Sequence, residues 1–375
     1  MPDITSLKLE RYPRRVKETL QAWDAADTLL LSHIAERIES GAAILIVNDA
    51  WGSLTTATAR FRPATLSDSY LAQKATAENL GRNDAALTGV TFLSSFDPLP
   101  ARIDVLLIKV PKSLSLLEDQ LHRIAPFVHS NTIVVGAAMT KHIHLSTIGL
   151  FQKILGPTRT SLAEKKARLI LCEPDPNLSR PANPWPGTYT LPSGETVISH
   201  AGVFGSERLD IGTRLLLEHL PHSRGRQRIV DLGCGNGILG VRAAMVNPHS
   251  EVTFVDESYR AVASAEATFR ANLGAERAAH FVVGNGLFDL ANGTRLAAGF
   301  DLVLNNPPFH ENHAISDATA WQMFVESRDA LRHGGELWVV GNRHLGYPEK
   351  LKRLFGNCDV VTGNAKMIVL RSTRS

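Results

Sequence analysis

A run of amide, proline and aromatic residues, Asn-Asn-Pro-Pro-Phe-His at 305–310, follows an apolar stretch that we predict to be a strand. An amine conjugated to a ring is planar, and it must become pyramidal before its lone pair can attack a methyl group. The side-chain oxygen of Asn306 and the carbonyl of Pro307 can accept its two N–H groups, and the consecutive prolines hold that carbonyl in place. Phe309 offers a flat face on which an extruded base can stack. We therefore predict that these three residues are catalytic and act on a planar amine.

A glycine-rich loop precedes this motif in the same half of the chain, with the sequence Asp-Leu-Gly-Cys-Gly-Asn-Gly at 231–237. It lies between a predicted strand and a predicted helix, where open α/β sheets bind ligands at the carboxyl ends of their strands. The alternate spacing of the glycines and the acid that opens the loop favour S-adenosylmethionine over a dinucleotide. The residues that we predict to bind this cofactor here are Asp231, Gly233, Gly235 and Gly237.

Further polar residues end the next two predicted strands. Asp256 and Glu257 follow strand 251–255, where a carboxylate can accept hydrogen bonds from the two ribose hydroxyls of an adenosyl group. Capping of the following helix is the alternative role of these acids. Asn285 ends the third strand, and we predict that it contacts the adenine edge. Asn306 completes the predicted cofactor contacts.

The composition is that of a globular protein: of 375 residues, 44% are hydrophobic and 21% are charged. The sequence contains neither an apolar run of roughly 18 residues, which a membrane span needs, nor a secretion signal. Three widely separated cysteines argue against a disulfide framework and against a cysteine-built metal site. The spacing His310-x-x-His313 lacks a third ligand, so we predict no metal. We expect a cytoplasmic protein that does not contact a membrane.

The length of the chain suits two domains rather than one core. The Pro-rich segment 173–187 has the composition of a semi-rigid linker between domains at 1–172 and 188–375. In the second domain, short strands rich in Val, Ile and Leu alternate with helices, as in a parallel sheet that helices cover on both faces. We predict a hairpin at 188–204, strands at 228–232, 251–255, 280–283, 301–304 and 336–340, and helices at 210–220, 238–246 and 258–272.

The first half repeats the order of elements of the second half. Strand 43–47 matches strand 228–232, and strand 104–108 matches strand 301–304. We therefore predict an α/β protein of two tandem Rossmann-like (class I) S-adenosylmethionine methyltransferase domains that arose by duplication. Two unrelated α/β domains are the alternative, because α/β patterns resemble each other by class.

The first copy lacks the residues that carry the chemistry of the second. Its loop after the first strand reads Asn-Asp-Ala-Trp-Gly at 48–52, and Trp51 would occupy the space of the cofactor. Its fourth strand is followed by Lys-Val-Pro-Lys at 109–112, which places cations where the amine acceptors should be. We predict that this degenerate copy neither binds cofactor nor catalyses.

Basic residues in the first half instead suggest a surface for phosphates. The whole excess of positive charge, +3, lies in residues 1–182. Solvated helix faces and a scaffold role are the alternative interpretation. The predicted RNA contacts are Lys109, Lys112, Lys141, Lys165, Lys166, Arg168 and, near the end of the chain, Arg343.

With these motifs, the chain resembles the bacterial ribosomal RNA guanine-N2 methyltransferases of the small-subunit methyltransferase C and large-subunit methyltransferase G type. The resemblance covers both halves, and segments 20–27, 107–112, 165–170 and 341–345 look like the large-subunit type. It implies S-adenosylmethionine-dependent methylation of the exocyclic N2 amine of one guanine in 23S rRNA. We expect the chain to act as a monomer on this RNA.

Several other functions are consistent with the motifs. The same chemistry serves guanine N2 in 16S rRNA, adenine N6, and the glutamine amide of a release factor. A protein without enzyme activity, an RNA-binding ribosome assembly factor with a vestigial cofactor fold, is the alternative from a different class.

Overall fold

The structure is a computed structural model that describes residues 3–14, 18–84, 89–308 and 313–375, the last range without the side chains of 313–316. The chain forms two compact units, at 1–185 and 186–375. No helix in the described part of the chain is long and apolar enough to cross a bilayer.

The first unit contains five helices and seven strands in its described ranges. The helices are α1 (Ala25–Ile34), α2 (Ser53–Thr58), α3 (Tyr70–Arg82), α4 (Leu114–Ile124) and α5 (Leu145–Ile154). The strands are β1 (Ile44–Val47), β2 (Ala64–Leu66), β3 (Thr91–Leu93), β4 (Ile103–Lys109), β5 (Val128–Met139), β6 (Thr158–Thr160) and β7 (Ala167–Cys172).

The second unit repeats this composition after a hairpin. Its described helices are α6 (Ile211–Leu217), α7 (Ile238–Val246), α8 (Tyr259–Leu273), α9 (His313–Ala330) and α10 (Tyr347–Phe355). The hairpin strands are β8 (Gly187–Thr190) and β9 (Thr196–Ser199), and the sheet strands are β10 (Arg228–Leu232), β11 (Glu251–Asp256), β12 (Ala279–Val283), β13 (Phe300–Asn305), β14 (Leu331–Asn342), β15 (Asp359–Gly363) and β16 (Met367–Thr373).

The two units have the same sheet topology. The strand order is β3-β2-β1-β4-β5-β7-β6 in the first unit and β12-β11-β10-β13-β14-β16-β15 in the second. The first five strands of each sheet are parallel, and the last two of each unit pair antiparallel. This identical order, with its reversal beside the first strand, confirms the predicted pair of Rossmann-like domains.

The central strands of the second sheet are apolar along their whole length because both faces are covered. Ile229 and Leu302 belong to one hydrophobic cluster, whereas their neighbours Val230 and Val303 belong to another. Successive side chains of a strand point to opposite faces, so each face packs against its own layer of helices. Both clusters consist of buried residues, and the sheet that positions the candidate site is therefore held from two sides.

Helix starts in the two units also correspond. Ser69 caps α3 and Ser258 caps α8, each accepting from the backbone N–H three residues on. Asp24 caps α1 and Asp210 caps α6, each accepting from the N–H groups two and three residues on. Such caps satisfy backbone donors that the helix cannot. The repeated caps are independent support for duplication.

The structure differs from the predicted elements mainly at their ends. Helix α6 ends at Leu217, three residues before the predicted end, and β14 is longer than the predicted strand 336–340. The Pro-rich segment 173–187 is bonded along much of its length to the first unit. Arg180 Nε donates to the Ile154 carbonyl at 2.8 Å, and Trp185 Nε1 donates to Glu118 at 3.0 Å.

Candidate active site

The candidate site lies at the carboxyl ends of β10, β11 and β13. The strand order reverses at β10, which pairs with β11 on one side and β13 on the other. The chain therefore leaves β10 and β13 in opposite directions along the sheet and opens a crevice between them. The glycine-rich loop follows β10, and the Asn-Pro-Pro-Phe motif follows β13.

The glycines of the loop have two different roles. At Gly237, where φ is +78°, an added Cβ would lie 2.6 Å from Ala265 Cα, so this glycine permits close packing of the loop on α8. At Gly235, where φ is +53°, the nearest atom to an added Cβ is the Phe204 carbonyl at 3.9 Å. Among the described residues, no atom lies close enough to Gly235 to exclude a side chain by contact. The positive φ is what favours glycine here.

Asp231 is fully buried beneath the loop. Its Oδ2 accepts from the Gly240 N–H at 2.8 Å, and its Oδ1 has no partner among the residues that the structure describes. Burial, with Asp256 nearby, raises the pKa of Asp231 to about 8. A buried carboxylate oxygen without a donor is costly for the folded protein, and it fits a ligand that carries N–H groups, such as the α-ammonium of S-adenosylmethionine.

Asp256 ends β11 and faces the same loop. Its Oδ2 accepts from the Gly235 N–H, and its Oδ1 accepts from the Ser258 N–H, both at 3.0 Å. The predicted alternative of helix capping thus holds in part, because Ser258 is the N-cap residue of α8. A carboxylate oxygen can accept more than one hydrogen bond. Glu257 follows and is half-buried.

Asn285 lies in the loop after β12, next to Asp256. The Gly284 N–H donates to the Asp256 carbonyl at 2.9 Å, and this bond holds the start of the loop against the end of β11. Glu326 on α9 accepts from the Leu287 N–H at 2.6 Å and steadies the other side of the same loop. Sequence reasoning missed Glu326, since nothing in its surroundings along the chain distinguishes it from other helix acids.

Asn305 and Asn306 connect the motif after β13 to its surroundings. Asn305 Nδ2 donates to the Leu232 carbonyl at 2.7 Å and so ties the motif to the glycine loop. Asn306 Nδ2 donates to Thr213 Oγ1 at 2.9 Å and lies 3.4 Å from Asp210 Oδ2. The Oδ1 atom of Asn306 is buried and has no hydrogen-bond partner in the described ranges. This oxygen is therefore a candidate acceptor for an N–H group of a substrate.

Pro307, the second predicted catalytic residue, directly follows Asn306. Pro307 is buried and Pro308 is exposed. Phe309 lies outside the described residues, as do His310 and the side chain of His313. Within the described ranges, no group of three or more His, Cys, Asp or Glu side chains could hold a metal ion.

In the first unit, the corresponding ends of β1 and β4 have a different arrangement of side chains. Asn48, with φ of +63°, follows β1, and its amide exchanges two hydrogen bonds with Gln120, at 2.9 and 2.8 Å. Its Nδ2 also donates to the Lys109 carbonyl at 3.1 Å. The guanidinium of Arg11 lies 4.3 Å from the centre of the Trp51 ring. In the first unit these polar groups therefore bond to each other, whereas in the second unit Asp231 Oδ1 and Asn306 Oδ1 lack partners among the described residues.

Lys109 stands at the position of Asn306, because both follow residues of the fourth strand that pair with the end of the first. Its ammonium pairs with Asp24 at 2.7 Å and with the buried Asp27 at 2.8 Å. These carboxylates raise the pKa of Lys109 despite its burial, which acts in the opposite direction. This corrects the expectation that Lys109 offers a free cation to phosphates, because two acids already neutralise it.

The other predicted basic residues lie partly together at the carboxyl edge of the first sheet. Burial and then the cations Lys141 and Lys112 lower the pKa of His142, so these groups are close. Lys165 and Lys166 form the turn before β7, and the Thr140 N–H donates to the Lys166 carbonyl at 2.8 Å. All four of these lysines are exposed.

Arg168 and Arg343 differ from this group. Arg168 is half-buried, and its Nε lacks a partner among the described residues. Arg343 belongs to the second unit, is exposed, and donates from Nε to the Asn364 carbonyl at 2.6 Å.

The sheet order defines a class I S-adenosylmethionine-dependent methyltransferase, together with a buried acid beneath a glycine loop and an amide oxygen beside it that both lack partners in the described structure. Comparison with known proteins narrows the class. The RLMG N-terminal domain family matches residues 2–176, and the methyltransferase small domain family matches residues 194–371.

Relatives of known name match the whole chain. The ribosomal RNA large subunit methyltransferase G of Streptomyces avermitilis is 56% identical, over 98% of this chain and 96% of its own length. The protein of the same name from Aeromonas salmonicida is 45% identical, over 98% of this chain and 97% of its own length. The chain belongs to the ribosomal RNA large subunit methyltransferase G family.

A solved structure supports the fold of both units together with their order in the chain. The 16S rRNA N2 methyltransferase of T. thermophilus, solved in complex with AdoMet and guanosine, superposes with a TM-score of 0.74. The alignment covers 98% of this chain and 95% of that one, at 21% sequence identity. At this identity the likeness concerns the fold alone.

Proposed function

We propose that this protein transfers a methyl group from S-adenosylmethionine to the exocyclic N2 amine of a guanine in 23S rRNA. The observation that carries the proposal is the buried, unpartnered Oδ1 of Asn306 at the end of β13, beside a glycine loop with an orphaned acid. The relatives supply the class of RNA, and the amide oxygen supplies the acceptor that a planar amine needs.

In this proposal, the residues of the chain bind the cofactor and orient the substrate amine. Asp231, Asp256 and the backbone at Gly235 would hold the cofactor, with Glu257 and Asn285 towards its adenosyl part. When bound, S-adenosylmethionine supplies an electrophilic methyl group on a positively charged sulfur. Asn306 Oδ1 and the Pro307 carbonyl accept hydrogen bonds from the two N–H groups of the amine. These bonds favour the pyramidal geometry, in which the lone pair is localised on the nitrogen.

Positioning accounts for most of the rate enhancement in such a displacement. The nitrogen becomes acidic once it carries the methyl group, so it can release its proton to water without a strong base. Asn306 and Pro307 need only accept hydrogen bonds, which is what an amide and a carbonyl oxygen can do at neutral pH.

We further propose that the first unit binds the RNA through Lys112, Lys141, Lys165 and Lys166. These exposed lysines come from three separate segments: burial and then Lys141 and Lys112 lower the pKa of His142, and the Thr140 N–H donates to the Lys166 carbonyl. Phosphate contacts of this kind position the RNA without reading its bases. In this proposal the duplicated unit, residues 1–172, holds RNA, and residues 188–375 catalyse.

We also propose that the protein acts as a monomer in the cytoplasm, where rRNA is made and assembled. A monomer requires that one chain carry both the catalytic crevice and the RNA surface, and each unit here contributes one of them. Light scattering after gel filtration at micromolar concentration tests this, and a dimer would contradict it.

Methyl transfer to purified substrates tests the proposed function. Labelled S-adenosylmethionine is incubated with the protein and with bare 23S rRNA, bare 16S rRNA or a release factor. We expect label on 23S rRNA, and digestion to nucleosides should place it in N2-methylguanosine. Label on the release factor alone, or in N6-methyladenosine, would contradict the proposal.

A further inference from the structure

We propose that Thr213 and Asp210, at the start of α6, are positioning residues that fix the side-chain amide of Asn306 with its oxygen towards the substrate amine. This inference rests on the proposed function, because it concerns how the same acceptor is aimed. Neither residue was predicted to touch the motif after β13, which lies more than 90 residues further along the chain.

The contact joins two elements that the sheet brings together. Thr213 is buried, and its Oγ1 accepts from Asn306 Nδ2 at 2.9 Å. Asp210 Oδ1 accepts from the N–H groups of Gly212 and Thr213, at 2.8 and 3.1 Å, which leaves Oδ2 on the side of Asn306, 3.4 Å from its Nδ2. The helix start thus presents two oxygens to one amide nitrogen.

The Asp210 carboxylate determines which way the amide points, because the Thr213 hydroxyl can donate as well as accept. An ionised carboxylate can only accept hydrogen bonds. If the amide of Asn306 were turned by 180°, its oxygen would face Asp210, and two electron-rich oxygens would lie against each other. The assignment of nitrogen and oxygen in such an amide follows from its hydrogen-bond network. Here that network leaves Oδ1 without a partner among the described residues, and we infer that it is available to the substrate.

The first unit shows the same contact with different chemistry. Lys109, at the position of Asn306, pairs with Asp24, the N-cap residue of α1, and with Asp27, three residues on. Asp210 and Thr213 have the same spacing at the start of α6. The residue three after the cap is therefore acidic where its partner is a lysine, and a neutral hydroxyl where its partner is an amide. Because the contact occurs in both copies, we infer that the start of the helix positions the side chain at the end of the fourth strand.

Substitution of Thr213 tests the inference with a matched pair. Thr213→Val keeps the shape and removes the acceptor, whereas Thr213→Ser keeps the acceptor. On the best rRNA substrate we expect Thr213→Val to lower kcat roughly 10- to 100-fold, in the range below the loss of a direct oxyanion donor. KM for RNA and Kd for S-adenosylmethionine should stay within about twofold. Thr213→Ser should retain most of the wild-type kcat.

Thr268→Val is the control for loss of a buried threonine hydroxyl. Thr268 Oγ1 bonds to the backbone of Ile198, far along the chain from the motif after β13, and Thr268 is fully buried. We expect this variant to lower the melting temperature as much as Thr213→Val does, with an unchanged kcat. A wild-type kcat in Thr213→Val, or an equal loss of kcat in Thr268→Val, would overturn the inference.

A measurement without turnover separates this inference from the proposed function. With ¹⁵N-asparagine labelling, the side-chain NH₂ signal of Asn306 is the one that disappears in Asn306→Ala. Its hydrogen exchange should be slow in the wild type and in Thr213→Ser, and at least tenfold faster in Thr213→Val and Asp210→Asn. Equal exchange in all four proteins would overturn the positioning role, whereas a wild type inactive on rRNA would contradict the function alone.

Discussion

At the scale of single residues, the site keeps polar atoms that reduce the stability of the folded chain. Asp231 is the clearest example, because its carboxylate is fully buried and only one of its oxygens has a donor within the described structure. Binding sites often retain such groups, since a ligand supplies the missing partner. The same residue should therefore link stability to pH in the absence of ligand.

Asp231 makes the unliganded second unit less stable as the pH rises. Its pKa in the folded protein, about 8, lies above the usual value of 3.8. The protonated group therefore contributes fully to the free energy of unfolding below pH 4, and this contribution is lost as the pH rises towards 8. Asp231→Asn removes this titration. At pH 8 we expect the variant to unfold with a free energy at least about 1.4 kcal/mol larger, the equivalent of one pKa unit.

Urea unfolding at pH 5, 6.5 and 8, followed by hydrogen exchange of peptides from β10, measures this difference. The variant should also bind S-adenosylmethionine more weakly, since the amide no longer attracts an ammonium group. A difference between variant and wild type that does not grow with pH would show that Asp231 is ionised in the folded protein across this range.

Asn306 is expected to act in turnover and not in RNA binding. Asn306→Ala removes the acceptor Oδ1 and should lower kcat by at least about 100-fold, as loss of a preorganised polar group does. RNA affinity, measured by filter binding, should change by less than about threefold. Substantial methylation by this variant would mean that another acceptor holds the amine.

At the scale of elements, the loop between β10 and α7 has to satisfy packing and binding at once. Gly237 faces α8 so closely that a methyl group would lie 2.6 Å from Ala265 Cα, whereas at Gly235 it would make only an ordinary contact, 3.9 Å from the Phe204 carbonyl oxygen. Both have positive φ, so a side chain adds roughly 1–3 kcal/mol of backbone strain at either position. The steric clash is added only at 237.

Alanine at the two positions should separate these roles. We expect Gly237→Ala to lower the free energy of unfolding of the second unit by roughly 1–3 kcal/mol more than Gly235→Ala does, because overpacking adds to strain. Gly235→Ala should instead weaken S-adenosylmethionine binding at least tenfold while the fold persists. Chemical denaturation and calorimetric titration of both variants provide the comparison, and equal stability losses would contradict the assigned contact.

At the scale of the whole molecule, one fold occurs twice, and the two copies differ in the side chains at the carboxyl ends of their strands. The second copy leaves acceptors open in its crevice, and the first closes the corresponding space with Asn48, Gln120 and the ion pairs of Lys109. A buried carboxylate that loses its cation is strongly destabilising. The degenerate copy has therefore come to depend on the side chains that replaced its chemistry.

Lys109→Met tests this dependence. It leaves Asp27 buried without its cation, and we expect the first unit to lose about 3–5 kcal/mol of stability at pH 8. Lys153→Met, which removes an exposed lysine at the far end of α5, is the control and should change stability by less than about 0.5 kcal/mol. Hydrogen exchange of peptides from β1 and β4 measures both, and equal effects would contradict a structural role for Lys109.

The proposed RNA surface predicts how the affinity for RNA depends on the salt concentration. Replacing Lys112, Lys165 and Lys166 together by Glu should weaken 23S rRNA binding at 150 mM salt. It should also flatten the dependence of log Kd on log salt by about 2, since each lost phosphate contact removes roughly 0.7–0.9. Lys153→Glu, in the same unit, should leave the slope unchanged. An unaltered slope in the triple variant would remove these lysines from the interface.

Much of this protein could be predicted from the sequence. Short apolar strands bounded by glycines, prolines and polar residues have a local signature. The strands that contain Asp231 and Asp256, and the strand that directly precedes Asn306, are therefore found within one or two residues of their predicted places. The order of those strands along the chain implies that the three residues meet at one edge. The duplication was visible for the same reason, because equal patterns of burial select equal patterns of residues.

The tertiary structure alone decided which partners those residues have. Thr213 and Asp210 are distant from Asn306 in sequence, and Asp24 and Asp27 are distant from Lys109, so no periodicity indicates the contacts. Lys109 therefore looked like a free cation in the sequence and proved to be an ion-paired one. Sequence determines which groups a strand or loop carries, since this depends on neighbours along the chain. The charge and direction of a buried side chain depend on neighbours in space, which only the packed fold provides.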